Sequence, residues 1–209
     1  MNYLAHHEVA AHLSDQPDFL FGSVVADLAR MCGSRRALHE ITNPQLAAGN
    51  IIHRLTNKVF DNYPPIKQLE EEMIASFKWF LPWREATQAA RAGKDLLFDG
   101  TQFVDSQKVN KLMNTFDQVL SSTDRLSQEG LPDNLWQLVD RIRSRGVPDY
   151  SETEIATGSL IKILSKTRTP IPAPSYDQVA VVMDKYKVAV VNLGEAAMSY
   201  TVSNLKNQL

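Results

Sequence analysis

Ten prolines punctuate the 209 residues, and their placement constrains the fold more than any other feature. Proline lacks an amide hydrogen and clashes with the preceding turn, so it opens helices and is excluded from their interiors. The stretches between these prolines keep apolar residues at three- and four-residue intervals, which predicts helices. Residues 41–60 hold that spacing up to the break at Asn62-Tyr63-Pro64-Pro65. Further helices are predicted over 65–80, which carries Glu70-Glu71-Glu72, and over 84–103 beyond Pro82. The segment 106–126 places Leu112, Phe116, Val119 and Leu120 on one face, and 132–145 stops at Gly146 and Pro148. Ser151 with Glu154 reads as a capping box for a helix ending near Lys166. Thr169-Pro170-Ile171-Pro172-Ala173-Pro174 is a connector, and a last helix spans 176–206. Its valine runs, 179–182 and 188–191, are β-branched, but the apolar length around them favours a buried helix. The expectation is an all-α chain forming one domain over 1–209, with the connector 169–174 before a long C-terminal helix.

Charge excludes some functions. Lys plus Arg is 22 against 24 Asp plus Glu, a net −2, which gives no bulk drive toward nucleic acid or anionic membrane. One cysteine, Cys32, permits no intrachain disulfide and fits a reducing compartment. The first residues lack the basic start and apolar run of a secretory signal, and no stretch approaches the roughly 18 apolar residues of a membrane span. A soluble cytoplasmic protein is expected.

Three constellations could carry chemistry. His53, Asn57 and Asp61 recur every four residues and so share one helical stripe, with Arg54 and Lys58 on the adjacent row. They read as metal ligands or acid–base groups beside a phosphate-binding pair, or as a solvated polar face. Asp95 and Asp99 are again four apart, flanked by Leu96, Phe98 and Phe103. Acids so flanked need a cation, either a metal or an ion-pair partner such as Arg91 or Lys94. The third is His6, His7 and His12 with Asp27 in Gly22-Ser23-Val24-Val25-Ala26-Asp27; His6 and His7 are not expected to face inward together from one helix. Arg30, Arg35 and Arg36 form a local basic patch that could lower the pKa of Cys32, and Phe77, Trp79, Phe80 and Trp83 read as helix-end core.

Taken in order, these motifs resemble the acyl carrier protein phosphodiesterases. The carriers are the opening Met1-Asn2-Tyr3-Leu4-Ala5-His6, the Gly22–Asp27 segment, and Gly49-Asn50-Ile51-Ile52-His53-Arg54 with Asn57 and Asp61-Asn62-Tyr63-Pro64. Asp95-Leu96-Leu97-Phe98-Asp99 with Phe103 resembles that family's acidic helix, with weaker likeness through Leu135-Trp136 and Ser165-Lys166-Thr167-Arg168. The resemblance implies a divergent HD-type helical fold and hydrolysis of the phosphodiester joining 4′-phosphopantetheine to a holo acyl carrier protein. It implies a divalent ion, Mn2+ or Mg2+, held by Asp27, His53, Asp61, Asp95 and Asp99, with Asn57 as a neutral ligand. Arg54 and Lys58 would bind the phosphate, His6 would support the site or protonate the leaving oxygen, and Arg30, Arg35 and Arg36 would face an acidic carrier. The chain departs from the family pattern at Asn57, Phe60 and Gly100, which stand for aspartate, threonine and histidine. Those departures leave two alternatives: hydrolysis of another phosphoester, or carrier binding without cleavage.

Overall fold

The computed structural model describes residues 3–33, 41–103, 105–122, 129, 131–132, 134–165 and 174–209. Among them are nine helices and no strand: α1 (Tyr3–Ala11), α2 (Pro17–Met31), α3 (Pro44–Asn62), α4 (Pro64–Phe77), α5 (Trp83–Phe103), α6 (Ser106–Leu120), α7 (Leu135–Arg145), α8 (Thr153–Ser165) and α9 (Tyr176–Lys206). Pro17, Pro44 and Pro64 each open a helix, so α3 begins at Pro44 rather than at 41. The Asn43 side chain caps α3 by accepting from the amides of Gln45 and Leu46, both at 3.0 Å. Asp105 caps α6 through the Gln107 amide. Beyond α7, Gly146 takes a left-handed φ of 81°. No described helix is long and apolar enough to cross a membrane.

The chain clusters into two compact units. The first holds residues 2–59, 105–147 and 201–209, with α1 packed on α2 and α6, α2 on α6 and α7, and α6 on α7. Helix α1 is buried on every side from Tyr3 to Ala10. Both His6 and His7 are therefore fully buried, against expectation, because α1 has neighbours on more than one face. His6 turns to α2, and the His7 Nε2 lies 2.9 Å from Thr115 Oγ1 on α6. Gly22 and Gly49 let α2 and α3 touch backbone to backbone: a Cβ on Gly22 would collide with the Leu46 carbonyl, and one on Gly49 with the Phe19 carbonyl.

The second unit holds residues 60–104 and 148–200, with α5 packed on both α4 and α8. Ala86, Ala89 and Ala90 let α5 sit deep, and Phe60 meets Phe98 edge-on at 4.5 Å. Three expectations need correction here. The aromatic cluster is not all core: Phe77 is buried, but α4 ends there, and the following turn leaves Trp79 89% and Trp83 63% exposed. The valine runs of α9 are helical yet one-sided, with Val179, Val182 and Val190 buried and Val181, Val188 and Val191 exposed. Helix α8 opens at Thr153 rather than through a Ser151–Glu154 box, after a turn in which the Asp149 carboxylate accepts from the Ser151 amide. Arg35, Arg36 and the residues 166–173 lie outside the described residues.

Candidate functional site

The first unit gathers a buried cluster from three helices. Packing of α1 on α2 brings His6 Nδ1 to 3.0 Å from Asp27 Oδ2. The close α2–α3 approach brings the His53 Nδ1–H to the Ser23 carbonyl at 2.9 Å, and His53 Nδ1 lies 3.9 Å from Asp27 Oδ2. The two imidazoles lie face to face, 4.0 Å between centroids and tilted by 32°. Asn57, one turn beyond His53, bridges them: its Oδ1 is 3.1 Å from His6 Nε2 and its Nδ2 is 3.3 Å from His53 Nε2. A backbone carbonyl can only accept, so His53 carries its proton on Nδ1 and offers the Nε2 lone pair to the Asn57 amide. The Asn57 oxygen then accepts from His6 Nε2–H. Both His6 nitrogens thus face side-chain oxygens, Asp27 Oδ2 at Nδ1 and Asn57 Oδ1 at Nε2.

Electrostatics follow from this packing. Burial pushes the Asp27 carboxyl upward, but the charge and hydrogen bond of His6, with His53 and Arg30 adding, outweigh it and hold it down at about 2. Arg30 reaches Asp27 Oδ1 at 3.3 Å, leaving Oδ2 to the histidines. Burial, then repulsion from His6, lowers His53 to about 3 against the pull of Asp27 and Ser23. His53 is thus a neutral ring whose Nε2 lone pair faces the Asn57 amide while its Nδ1 side lies near the Asp27 carboxylate.

Ligand atoms of His6, Asp27 and His53 all lie within 4.8 Å of one another, and all three residues are buried. Two imidazoles and a carboxylate suit a divalent transition ion. The His53 Nδ1–H on a backbone carbonyl is the support that a histidine bound through Nε2 takes. The donor set fits a metal. Spacing and local context pointed to His53 and Asp27, and the family resemblance to His6 as a supporting group; that His6 meets Asp27 and His53 directly follows from the buried α1.

The acids of the second unit are organised around Lys94, one of the two ion-pair partners expected for them. Lys94 is 1% exposed, and its Nζ donates to Asp61 Oδ1 and Glu70 Oε2, each at 2.8 Å, with Asp95 at 4.0 Å. Burial opposes its charge, but Asp95, Asp61 and Glu70 raise its pKa overall. Arg91 adds a 2.9 Å bond to Glu70, whose carboxyl these two cations hold low against burial. Asp61 and Asp95, expected among the metal ligands, thus surround a cation of the chain's own. The signal was the one weighed for Asp95, an acid among apolar residues, but a lysine next to it in sequence gives no sign of burial. Asp99 is fully buried and adds to the burial that pushes the Tyr150 phenol up to about 12.

Two departures from the family pattern have physical causes. A Cβ at Gly100 would collide with the Tyr150 carbonyl and the Ser151 amide, so no imidazole fits there. Phe60 is a core residue, packed on Phe98 with the Lys94 ammonium 5.4 Å from its ring centre. Of the expected phosphate and carrier contacts, Arg54 and Lys58 are exposed on α3, while Arg30 leans on Asp27. The Cys32 thiol is raised by burial, with Arg141 opposing, rather than lowered by the neighbouring arginines.

No curated protein and no solved structure significantly matches the chain. The family model of acyl carrier protein phosphodiesterase matches residues 1–189, which includes every member of the buried cluster. The chain belongs to the acyl carrier protein phosphodiesterase family.

Proposed function

We propose that this chain is a metal-dependent phosphodiesterase that releases 4′-phosphopantetheine from a holo acyl carrier protein, working as one all-helical domain of the HD type. The observation that carries the reading is the buried His6–Asp27–His53 cluster inside a family match over 1–189. His53 would bind an ion through Nε2, Asp27 through Oδ2 and His6 as the third ligand, with the Asn57 carbonyl beside them. When bound, a divalent ion neutralises phosphate oxygens and lowers the pKa of a water to where it can attack. Two imidazoles favour Mn2+ over Mg2+.

The chain's own groups do the rest. Arg30 fixes the Asp27 carboxylate by its other oxygen. Arg54 and Lys58, exposed on the helix that carries His53, bind and orient the phosphate. In this reading Asp61 and Asp95 hold Lys94 rather than metal, and Asp99 lies buried near Tyr150. His6 is either that third ligand or the acid for the leaving oxygen.

The test is intact mass of a holo carrier protein incubated with the protein and Mn2+, or with chelator. Loss of the phosphopantetheine mass only with Mn2+, and not with Asp27→Ala, is the expected result. Turnover unchanged by Asp27→Ala and His53→Ala would refute the site. One observation favours a second reading. Asn57 brings no charge and occupies the His53 Nε2 lone pair, as a chain that docks a carrier without cleaving it would do. Carrier binding with neither Mn2+ binding nor turnover would select that reading.

A further inference from the structure

The second unit carries an open groove of about 490 Å³ between the end of α4 and the first half of α9. Ser76, Trp79, Phe80, Val181, Val182 and Lys185 line it. Its apolar walls stand in water: Trp79 is 89% exposed and Val181 68%. Such a patch on a chain of this size marks an interaction surface. What identifies its occupant is the order of residues along α9.

Asp177, Val181 and Lys185 recur every four residues, so they form one exposed stripe with an acid at one end, an apolar centre and a base at the other. Turned end over end about Val181, this stripe is complementary to itself. Asp177 then meets Lys185 at both ends, Asp184 meets Gln178, and Val181 meets its own copy. An interface made of one patch on both subunits is what a two-fold axis requires. Lys185 is already positioned over the groove floor, with its Nζ 3.2 Å from Ser76 Oγ and 4.7 Å from the Tyr186 ring centre. An acidic or basic partner helix would match one end of the stripe and oppose the other. Trp79 lines the groove beside the stripe, and Tyr176 and Val188 add exposed apolar side chains on the same helix. An aromatic side chain buries roughly 150–250 Å² in an interface. Trp79 with Val181, Val188 and the exposed part of Tyr176 supplies the apolar centre of such an interface, and the charged ends of the stripe its polar rim.

We propose that this groove is the interface of a homodimer, with the first half of α9 pairing antiparallel to its copy about Val181. The pairing is independent of the metal reading, since it uses none of that site's residues.

The experiment is sedimentation equilibrium of the full chain across a concentration series, with circular dichroism as the fold control. The expected result is a reversible monomer–dimer equilibrium. Asp177→Lys and Lys185→Asp should each weaken it about tenfold, because each turns two attractive contacts per dimer into like-charge contacts. The double variant D177K/K185D should restore it, since the swapped stripe is again self-complementary. Trp79→Ala, at an exposed position, should weaken it with no loss of fold. A monomer at every concentration, a dimer indifferent to Trp79→Ala, or a double variant no tighter than the singles would each overturn the proposal. A monomer whose binding of a holo carrier protein falls with Trp79→Ala would overturn it too, and would give the groove to the carrier.

Discussion

Asn57→Asp puts a carboxylate at the point where the two histidines of the cluster are joined, and its effect can be worked from the geometry. The Asn57 side chain lies 3.1 Å from His6 Nε2 and 3.3 Å from His53 Nε2, so an aspartate sets a full negative charge against both rings. At about 4 Å and an effective dielectric of about 20, one pair of unit charges is worth about 4 kcal/mol. Two costs oppose this. The amide bond to His53 Nε2 is lost, at about 0.5–1.5 kcal/mol. A second carboxylate is also partly desolvated near Asp27, which costs further. The balance leaves on the order of 1–3 kcal/mol in favour of a bound divalent ion, or about ten- to a hundredfold tighter binding. Without metal, the variant should be less stable than the parent, because the added acid faces Asp27 across a single imidazole. Calorimetric titration with Mn2+, with Asn57→Ala as the neutral control, reads the affinity directly. Mn2+ binding equal to or weaker than the parent's, in a variant with an unchanged helical spectrum, would refute the idea that Asn57 borders a metal site.

Other outcomes follow from the same geometry. Mn2+ should raise the Tm of the parent, and Asp27→Asn or His53→Ala should abolish that shift; a shift that survives in both would place the ion elsewhere. Asp27 is depressed from an ordinary 3.8 to about 2, so it contributes roughly 2 kcal/mol present above pH 3.8 and lost as pH falls through 2. His7 is lowered to about 4 by burial first, with Lys111 adding. It therefore costs roughly 3 kcal/mol of stability as pH falls from 6.5 to 4, and His7→Gln should flatten that limb of a pH–denaturation series. Gly100→His should destabilise by about 3 kcal/mol or more in urea melts, because the turn at Tyr150 must move; a neutral result would show that the turn yields easily. Lys94→Met leaves the Asp61 and Glu70 carboxylates without their shared ammonium, and should cost about 2–4 kcal/mol in the same melts.

Proline placement and apolar spacing were enough to lay out the helices, because both act within a few residues. Pro64 and Pro65 open α4 as the spacing predicts, though it ends at Phe77 rather than near 80, and 176–206 matches α9. The same local rules flagged Asp27 and His53, since an acid after Gly22-Ser23-Val24-Val25-Ala26 and a histidine four residues before Asn57 and eight before Asp61 stand out in one dimension. Whether a side chain is buried is not a local property, and there the sequence fell silent. His6 and His7 both point inward because α2 and α6 cover α1 from different sides, which no wheel of α1 alone can show. Trp79 faces water because α4 stops two residues earlier, and Lys94 is buried because Asp61 and Glu70, 33 and 24 residues away, arrive to meet its charge. The family was legible in the order of short motifs. The cluster itself, with Asn57 tying His6 to His53, was decided by the packing of α1, α2 and α3, where glycines at 22 and 49 let two backbones touch. Short-range chemistry chose the helices; desolvation and charge pairing across distant segments chose which of their residues make a site.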